Sequence, residues 1–426
     1  MQCKGSTFKP VMLLLYRATL WLYRMLIRLA ALAGNAKAQA WIDGRKGWRE
    51  NLKAFAAAAS GKKTIWMHCA SLGEYEQGRP VLDALRSELP DARILLTFFS
   101  PSGYLPAAKS SRADLVCYLP ADAPRAATDF VALARPDVAV FVRYEFWYFF
   151  LRALRNAAVP TVLLAASFRP DQIFFRAYGG MFRRMLRWYA RILLADDASL
   201  RLLEQHGLAA NAAVTGDTRF DRVTAILQDE RDIAKAADFS KGYITLVAGS
   251  TWPKDEAALA AAWPSLPADC RMIIAPHEPG ATQVSAIESL FPAGQCIRFS
   301  TYWPGSTARI LIIDNIGMLS RLYRYGQVAY IGGGFAKSGV HNVLEPLVYG
   351  LPVVMGPHYH KFPEAVAAVE AGYAHSANDE GEVEKLLKTA LAQSSEPALS
   401  SAIKAWMDAR TGATARAVAT VRRLLA

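Results

Sequence analysis

Glu74 and Glu145 are the two carboxylates whose neighbours make them candidates for moving a proton. Glu74 closes Ser71-Leu72-Gly73-Glu74, which follows an apolar stretch, Thr64–Ala70, and precedes a helical pattern starting near Glu76. A glycine beside a carboxylate at a strand-to-helix turn puts the acid at the strand's carboxyl end, near the amides that open the helix. There it can accept the proton of an attacking hydroxyl, or it can cap the helix through a reciprocal bond with Ser71. Glu145 lies in Arg143-Tyr144-Glu145-Phe146-Trp147, just after a second strand candidate, Asp137–Val142, and so also belongs at a strand's carboxyl end.

The second half of the chain carries glycine-rich turns. Ile331-Gly332-Gly333-Gly334-Phe335 ends a strand with three glycines, whose backbone can approach a phosphate closely. The lysine of a Walker loop and the full dinucleotide fingerprint are both missing, so neither an ATPase nor a dehydrogenase is indicated. Further on comes Gly339-Val340-His341-Asn342-Val343-Leu344-Glu345-Pro346. A helix starting near His341 would aim its amides at a phosphate and set Glu345 one turn in, within reach of a ribose diol. Taken alone, Glu345 reads equally as a surface carboxylate. With the strand Pro352–Met355 and the loop Gly356-Pro357-His358, the set suits a nucleoside monophosphate.

These residues need a scaffold that brings strand ends together. Apolar runs at Thr64–Ala70, Arg93–Phe99, Asp114–Leu119, Asp137–Val142 and Thr161–Ala166 alternate with helical patterns such as Arg79–Glu88 and Ala123–Ala134. The rhythm restarts with Tyr243–Gly249, Arg271–Ala275, Arg309–Ile313, Val328–Ile331 and Pro352–Met355. Such βα alternation predicts parallel sheets covered on both faces by helices, with ligands at the carboxyl ends of strands. The expected fold is therefore α/β, with two Rossmann-like domains facing a cleft. Residues 37–225 form the first domain and residues 240–426 the second, C-terminal helices included. The charged, alanine-rich segment Thr224–Lys241 is the junction. A chain of 426 residues, 53% hydrophobic and 20% charged, is large enough for two such cores. Five scattered cysteines without a CxxC pair exclude a disulfide framework and give no zinc motif. No metal site is expected.

Residues 1–36 carry a different signal. Val11–Ala33 reads VMLLLYRATLWLYRMLIRLAALA, as long as a membrane span but holding Arg17, Arg24 and Arg28. At about 100° per residue the three arginines fall within roughly 40° of one another. A basic stripe beside a broad apolar face suits a helix lying in the headgroup region; a tilted span with snorkelling arginines and a helix packed on the body are the alternatives. Between Phe168 and Arg191, six arginines alternate with Phe174, Phe175, Tyr178, Phe182, Trp188 and Tyr189. That mixture can hold phosphates and acyl chains or single-stranded nucleic acid, or its aromatics can turn inward. The formal charge of +12 calls for an anionic partner without naming it.

Four groups of residues together resemble the Kdo transferases: Ser71-Leu72-Gly73-Glu74; Glu145-Phe146-Trp147; Thr215-Gly216-Asp217 with Phe220-Asp221; and Gly339–Pro346 followed by Gly356-Pro357-His358. That family transfers 3-deoxy-D-manno-oct-2-ulosonic acid (Kdo) from CMP-Kdo to a lipid A precursor. The resemblance covers nearly the whole chain from about Trp41, in the right order and spacing, and its last motif is the most specific. It implies a metal-independent, inverting enzyme of the GT-B glycosyltransferase architecture, acting in lipopolysaccharide synthesis at the cytoplasmic face of the inner membrane. It implies no cofactor beyond the donor substrate, an anionic membrane surface as partner, and no role for nucleic acid.

By motif, Glu74 would be the general base and Glu145 a supporting carboxylate in the acceptor site. Gly333, Asn342 and Glu345 would hold the cytidylate, and Ser250 and Thr251 match the Ser-Thr that opens the nucleotide loop. Three positions depart from the family pattern. Pro276-His277-Glu278-Pro279 stands where a Pro-Arg-His-Pro-like run is usual, so a basic donor contact would fall to His277. Arg219 replaces a lysine before Phe220-Asp221, and Arg143-Tyr144 differ from the usual residues before the Glu. Transfer of another nucleotide sugar, epimerisation on the same fold, and non-catalytic nucleic-acid binding are the competing readings.

Overall fold

A computed structural model describes residues 9–58 and 61–426. The chain divides into two compact units, Met1–Asp221 with Thr411–Ala426, and Arg222–Arg410.

The first unit is built on seven parallel strands: β1 (Thr64–Cys69), β2 (Arg93–Phe98), β3 (Leu115–Tyr118), β4 (Val138–Val142), β5 (Thr161–Ala166), β6 (Arg191–Leu194) and β7 (Ala212–Val214). Their order in the sheet is β3-β2-β1-β4-β5-β6-β7. Every residue of β1, β2, β4 and β5 is buried, because helices cover both faces of a parallel sheet. Successive side chains point to opposite faces, which splits the core in two. Trp66, Phe141 and Leu163 join one cluster with Phe130 and Phe150, whereas Ile65, Met67, Val140 and Leu164 join the other.

The second unit repeats the plan with β8 (Ile244–Thr251), β9 (Cys270–Pro276), β10 (Cys296–Arg298), β11 (Ile310–Ile312), β12 (Val328–Ile331), β13 (Val353–Met355) and β14 (Ala374–Ser376), in the order β10-β11-β9-β8-β12-β13-β14. All the pairings are parallel. The doubly wound α/β class expected from the sequence is observed in each unit. Strands β6, β7, β10 and β14, of three or four residues at or beside the sheet edges, are not among those expected from the sequence.

In each sheet the strand order reverses beside the first strand, between β1 and β4 and between β8 and β12. These switch points open crevices at the strands' carboxyl ends. The backbone is strained there: Arg143 after β4, Ala165 in β5 and Ser250 in β8 all have positive φ, of 69°, 53° and 53°. At Ala165 and Ser250 the ladders also shift register. Non-glycine residues held in this region cost about 1–3 kcal/mol each and cluster at functional sites.

Two boundaries differ from expectation. The C-terminal helix Ala413–Leu425 belongs to the first unit, not the second. Ala417, Val418 and Val421 complete the core on one face of the first sheet, and Asp221 accepts the Gly412 and Thr414 amides at 2.5 and 2.6 Å. Arg416 adds a bond to the Thr215 carbonyl at 2.9 Å. A sequence boundary cannot reveal that a distant helix supplies the missing side of a core. The supposed junction is also structured. Ile233, Ala236 and Phe239 are buried in the second unit, where the Arg271 guanidinium lies over the Phe239 ring.

Helix α1 (Lys9–Leu32) ends at Gly34, whose φ of 83° turns the chain, and the Asn35 side chain then caps α2 (Ala36–Asp43). Helix α3 (Trp48–Ala57) follows. Tyr16 anchors α1: its hydroxyl donates to Asp122 at 2.6 Å, and Asp122 in turn accepts the Phe149 and Phe150 amides at 3.1 Å. Burial pushes the Asp122 carboxyl up to about 6, against those hydrogen bonds. Tyr16, Leu13, Leu20 and Ile27 face the body or are half-buried, whereas Leu14, Trp21 and Leu32 are 62%, 63% and 85% exposed. Among the described residues, no helix is long and apolar enough to cross a membrane.

The Asp221 clasp has a measurable consequence. Asp221→Ala removes both amide caps and should destabilise the first unit by about 1–2 kcal/mol. The check is urea unfolding, with hydrogen exchange showing faster opening of Ala413–Leu425 than in the wild type.

Candidate active site

In the first unit, Ser71 ends the turn after β1 and caps α4 (Leu72–Glu88). Glu74 is the third residue of that helix. Its Oε2 accepts the Ser71 amide at 3.1 Å and also binds the Ser71 hydroxyl, a reciprocal capping box. Both bonds fall on Oε2, leaving Oε1 at the half-buried helix terminus for an external proton. Capping and proton acceptance are therefore compatible in one carboxylate.

Glu145 is buried after β4 and meets His68 of β1, with Nε2 to Oε2 at 3.0 Å. Trp147 donates its indole N–H to the same carboxylate. The far side of the imidazole, Nδ1, lies 2.8 Å from the Thr97 hydroxyl and 3.1 Å from the Thr97 carbonyl in β2. The Tyr189 hydroxyl fixes the backbone by donating to the Glu145 carbonyl. A buried carboxylate needs such partners. The arrangement leaves Glu145 buried and engaged rather than a freely accessible base. It also lines an apolar cavity of about 370 Å³ with Tyr16, Leu20, Phe174 and Phe182. Aromatics of the Phe168–Arg191 stretch thus mostly turn inward, Tyr178 excepted.

The buried Cys69 thiol at the end of β1 feels both acids. Burial pushes it well up, and the charges of Glu145 and Glu74 push it further. His68 went unnoticed in the sequence; its one signal was a polar ring in the otherwise apolar run Ile-Trp-Met-His-Cys. Asp217 is also structural in part. It accepts from Gln77 at 2.8 Å and from Arg219 at 2.6 Å, and against the cost of burial the Arg219 charge holds its carboxyl below the usual range.

In the second unit the predicted residues surround the ends of β8 and β12. Ser250 is the strained residue at the register shift, and the Thr251 hydroxyl is buried against Glu256 at 3.0 Å. A Cβ at Gly332 would stand 2.3 Å from the Ser250 carbonyl oxygen, so only glycine lets the two strand ends meet. Two expectations need correction here. The Gly333 amide is not free for a phosphate, because it donates to Asp255 at 2.9 Å. No helix starts at His341 either. The Val340 and His341 amides bond to the His358 and Gly332 carbonyls at 3.1 and 3.2 Å, tying two loops together. The helix begins only at Leu344 and has four residues. The exposed Asn342 accepts the Leu344 amide and donates to Glu345, both at 3.1 Å. Glu345 is half-buried in that pair.

His277 is exposed and stacks on His341 and on Trp252, with ring centroids 4.5 and 4.7 Å apart. The His277 amide is held by the Thr251 carbonyl at 3.0 Å. Trp252 donates its indole N–H to His341 Nε2 at 3.1 Å, which requires a neutral acceptor nitrogen. Burial, and then the His277 charge, push His341 down to about 4. This column of flat rings beside a glycine-lined turn can receive a planar ring or an anion. Trp252 was missed, although it directly follows Ser250-Thr251.

Residues 46–222 match the family model described as 3-Deoxy-D-manno-octulosonic-acid transferase (kdotransferase). The chain is 30% identical over 377 residues to the 3-deoxy-D-manno-octulosonic acid transferase of Bordetella pertussis, covering 83% of this chain and 85% of that one. It belongs to the 3-deoxy-D-manno-octulosonic acid transferase family. The Aquifex aeolicus transferase is 27% identical over 307 residues, 70% of this chain and 78% of its own. As folds, the UDP-GlcNAc 2-epimerase of Neisseria meningitidis bound to UDP-GlcNAc (TM-score 0.58, 14% identity, 85% and 99% of the two chains) and MurG of Acinetobacter baumannii (TM-score 0.56, 13%, 85% and 99%) are similar. The two-unit GT-B architecture of this Kdo transferase agrees with those likenesses.

The neutral His341 gives a pH dependence with a defined sign. Its folded pKa lies below the unfolded value of about 6.5, so its stabilising contribution is complete above pH about 6.5 and is lost as pH falls through about 4. His341→Gln should flatten the fall in second-unit stability across that window, and NMR titration of the wild-type imidazole should show it neutral at pH about 6.

Proposed function

We propose that this Kdo transferase moves Kdo from CMP-Kdo to a lipid A precursor of the lipid IVA type, with inversion at the anomeric carbon and without a metal ion. The observation that carries the reading is the pair of acids at the carboxyl end of one sheet, Glu74 at a helix terminus and Glu145 buried against His68, in a chain of this family.

Glu74 Oε1 takes the proton from the acceptor's sugar hydroxyl as its oxygen bonds to the anomeric carbon of Kdo. The bond from that carbon to the cytidylate phosphate breaks, and CMP leaves with the electron pair. His68 and Trp147 hold Glu145 in place to orient the acceptor. In the second unit, Ser250, Thr251, Asn342 and Glu345 hold the nucleotide. Glu345 bonds the ribose, and His277 replaces a missing arginine beside the donor. Gly333 contributes by its closeness, its amide being already engaged.

The exposed apolar face of α1, with Arg17, Arg24 and Arg28 alongside, seats the protein on the cytoplasmic surface of the inner membrane, where the acceptor's acyl chains remain. The charge of +12 favours capture of an acidic donor and a phosphorylated acceptor, and nucleic acid has no part in the reading.

Purified protein with CMP-Kdo, tetraacylated lipid A precursor and EDTA should form product. Glu74→Gln should lower kcat by about 10²–10⁴-fold. Unchanged turnover in that variant removes Glu74 from the role, and loss of wild-type product on EDTA treatment removes the metal-free mechanism.

A further inference from the structure

A cavity of about 260 Å³ lies between α1, α2, α3 and the loop after β3, lined by Arg24, Arg28, Trp41, Arg45, Arg49 and Ala121 among others. Its cations are unusually short of counter-ions. Arg24 and Arg28, one turn apart on α1, are exposed and make no ion pair among the described residues. Arg45 is largely inside the protein, yet its guanidinium is met only by carbonyls, those of Phe99 at 2.7 Å and of Leu119 and Trp41 at 2.9 Å. It lies 3.7 Å over the Trp41 ring, and burial without a carboxylate pushes it down to about 9. Arg49 alone has an acid, Asp129 at 2.7 Å.

A second observation also points to an anion. Trp41 is 9% exposed, and its buried indole N–H has no hydrogen-bond partner. An orphaned buried donor costs about 1–3 kcal/mol, and an unpaired buried cation costs more. An anion in the cavity would answer the uncompensated Arg24, Arg28 and Arg45 charges, and a turn of the Trp41 ring would bring its N–H to the same ligand.

The chemistry that fits is a phosphate. It offers several acceptor oxygens and two negative charges as a monoester, and arginine forks match its geometry. The cavity's position fits headgroup depth, because Arg24 and Arg28 border the exposed apolar face of α1 that carries Trp21, Leu29 and Leu32. The cavity also connects to the acidic pair through stacked rings: Phe99, whose carbonyl binds Arg45, stacks on Trp147 at 4.8 Å.

We infer that the arginine-lined cavity at the foot of α1 is a phosphomonoester site, which holds the headgroup phosphate of a membrane lipid while the reacting sugar lies at the acidic pair. The inference rests on the proposed seating of α1 in the bilayer.

The test is binding of the full chain, without any nucleotide sugar, to phosphatidylcholine vesicles carrying phosphatidic acid or phosphatidylglycerol at matched surface charge. Calorimetric titration with inorganic phosphate forms a second arm. Two variants accompany the wild type: Arg24→Gln with Arg28→Gln, which removes charge, and Ala121→Phe, which fills the cavity and leaves every charge in place. The wild type should prefer the monoester lipid about tenfold. Both variants should lose that preference but keep their binding to neutral vesicles through α1.

Inorganic phosphate binding to the wild type and to neither variant would support the site and assign it to a soluble phosphate where the lipid preference is absent. Equal binding of the two lipids with no phosphate binding, or a preference that survives Ala121→Phe, overturns the inference. Because no transfer is measured, failure of the Kdo reading would appear separately, as a loss of product with the headgroup preference intact.

Discussion

Burial of a parallel sheet on both faces is the constraint on which the rest of this structure depends. Strands β1, β4, β8 and β12 have no solvent-facing side on which to place polar groups, so the polar chemistry is pressed to their carboxyl ends. His68 is a polar ring inside β1, and the cost is met at once by Thr97 on one side and Glu145 on the other. The same crowding explains the strained Arg143, Ala165 and Ser250, and Gly332 where two strand ends would otherwise collide. Strain and close backbone approach are found at both switch points, beside the buried ion pair of the first.

Helix α1 obeys a different rule. One stripe docks, held by the Tyr16–Asp122 bond and by the half-buried Leu13 and Leu20. A broad apolar face remains in the open, and the arginine row runs between the two. A helix that found all its partners within the chain would not leave Leu14, Trp21 and Leu32 exposed. The docked stripe walls an aromatic cavity next to Glu145, and the arginine row borders a second cavity lined by arginines.

Several residues of the proposed site also carry structural bonds. Glu74 closes a capping box with one oxygen and keeps the other at the helix terminus. Asn342 caps a short helix and holds Glu345. Asp255 takes up the Gly333 amide together with the Tyr330 hydroxyl. The acceptance of a local bond therefore does not remove a polar group from function; it fixes the direction in which the remaining lone pair or proton points.

The amino-acid sequence by itself determined the α/β class, the longer strands, the positions of Glu74, Glu145 and Ser250 near strand ends, and the amphipathic first helix, because periodicity and turn residues are local properties. Tertiary structure alone decided the partners. That His68 would meet Glu145, that His277 would stack between Trp252 and His341, and that the half-buried Arg45 would be met by carbonyls without an acid depend on strands and loops far apart in the chain. It also decided that the C-terminal helix completes the first core, through Asp221 and Val418, and that two interlocked loops stop a helix from starting at His341. Local pattern sets what an element is, whereas long-range packing and the need to satisfy every buried polar group set which residues it touches.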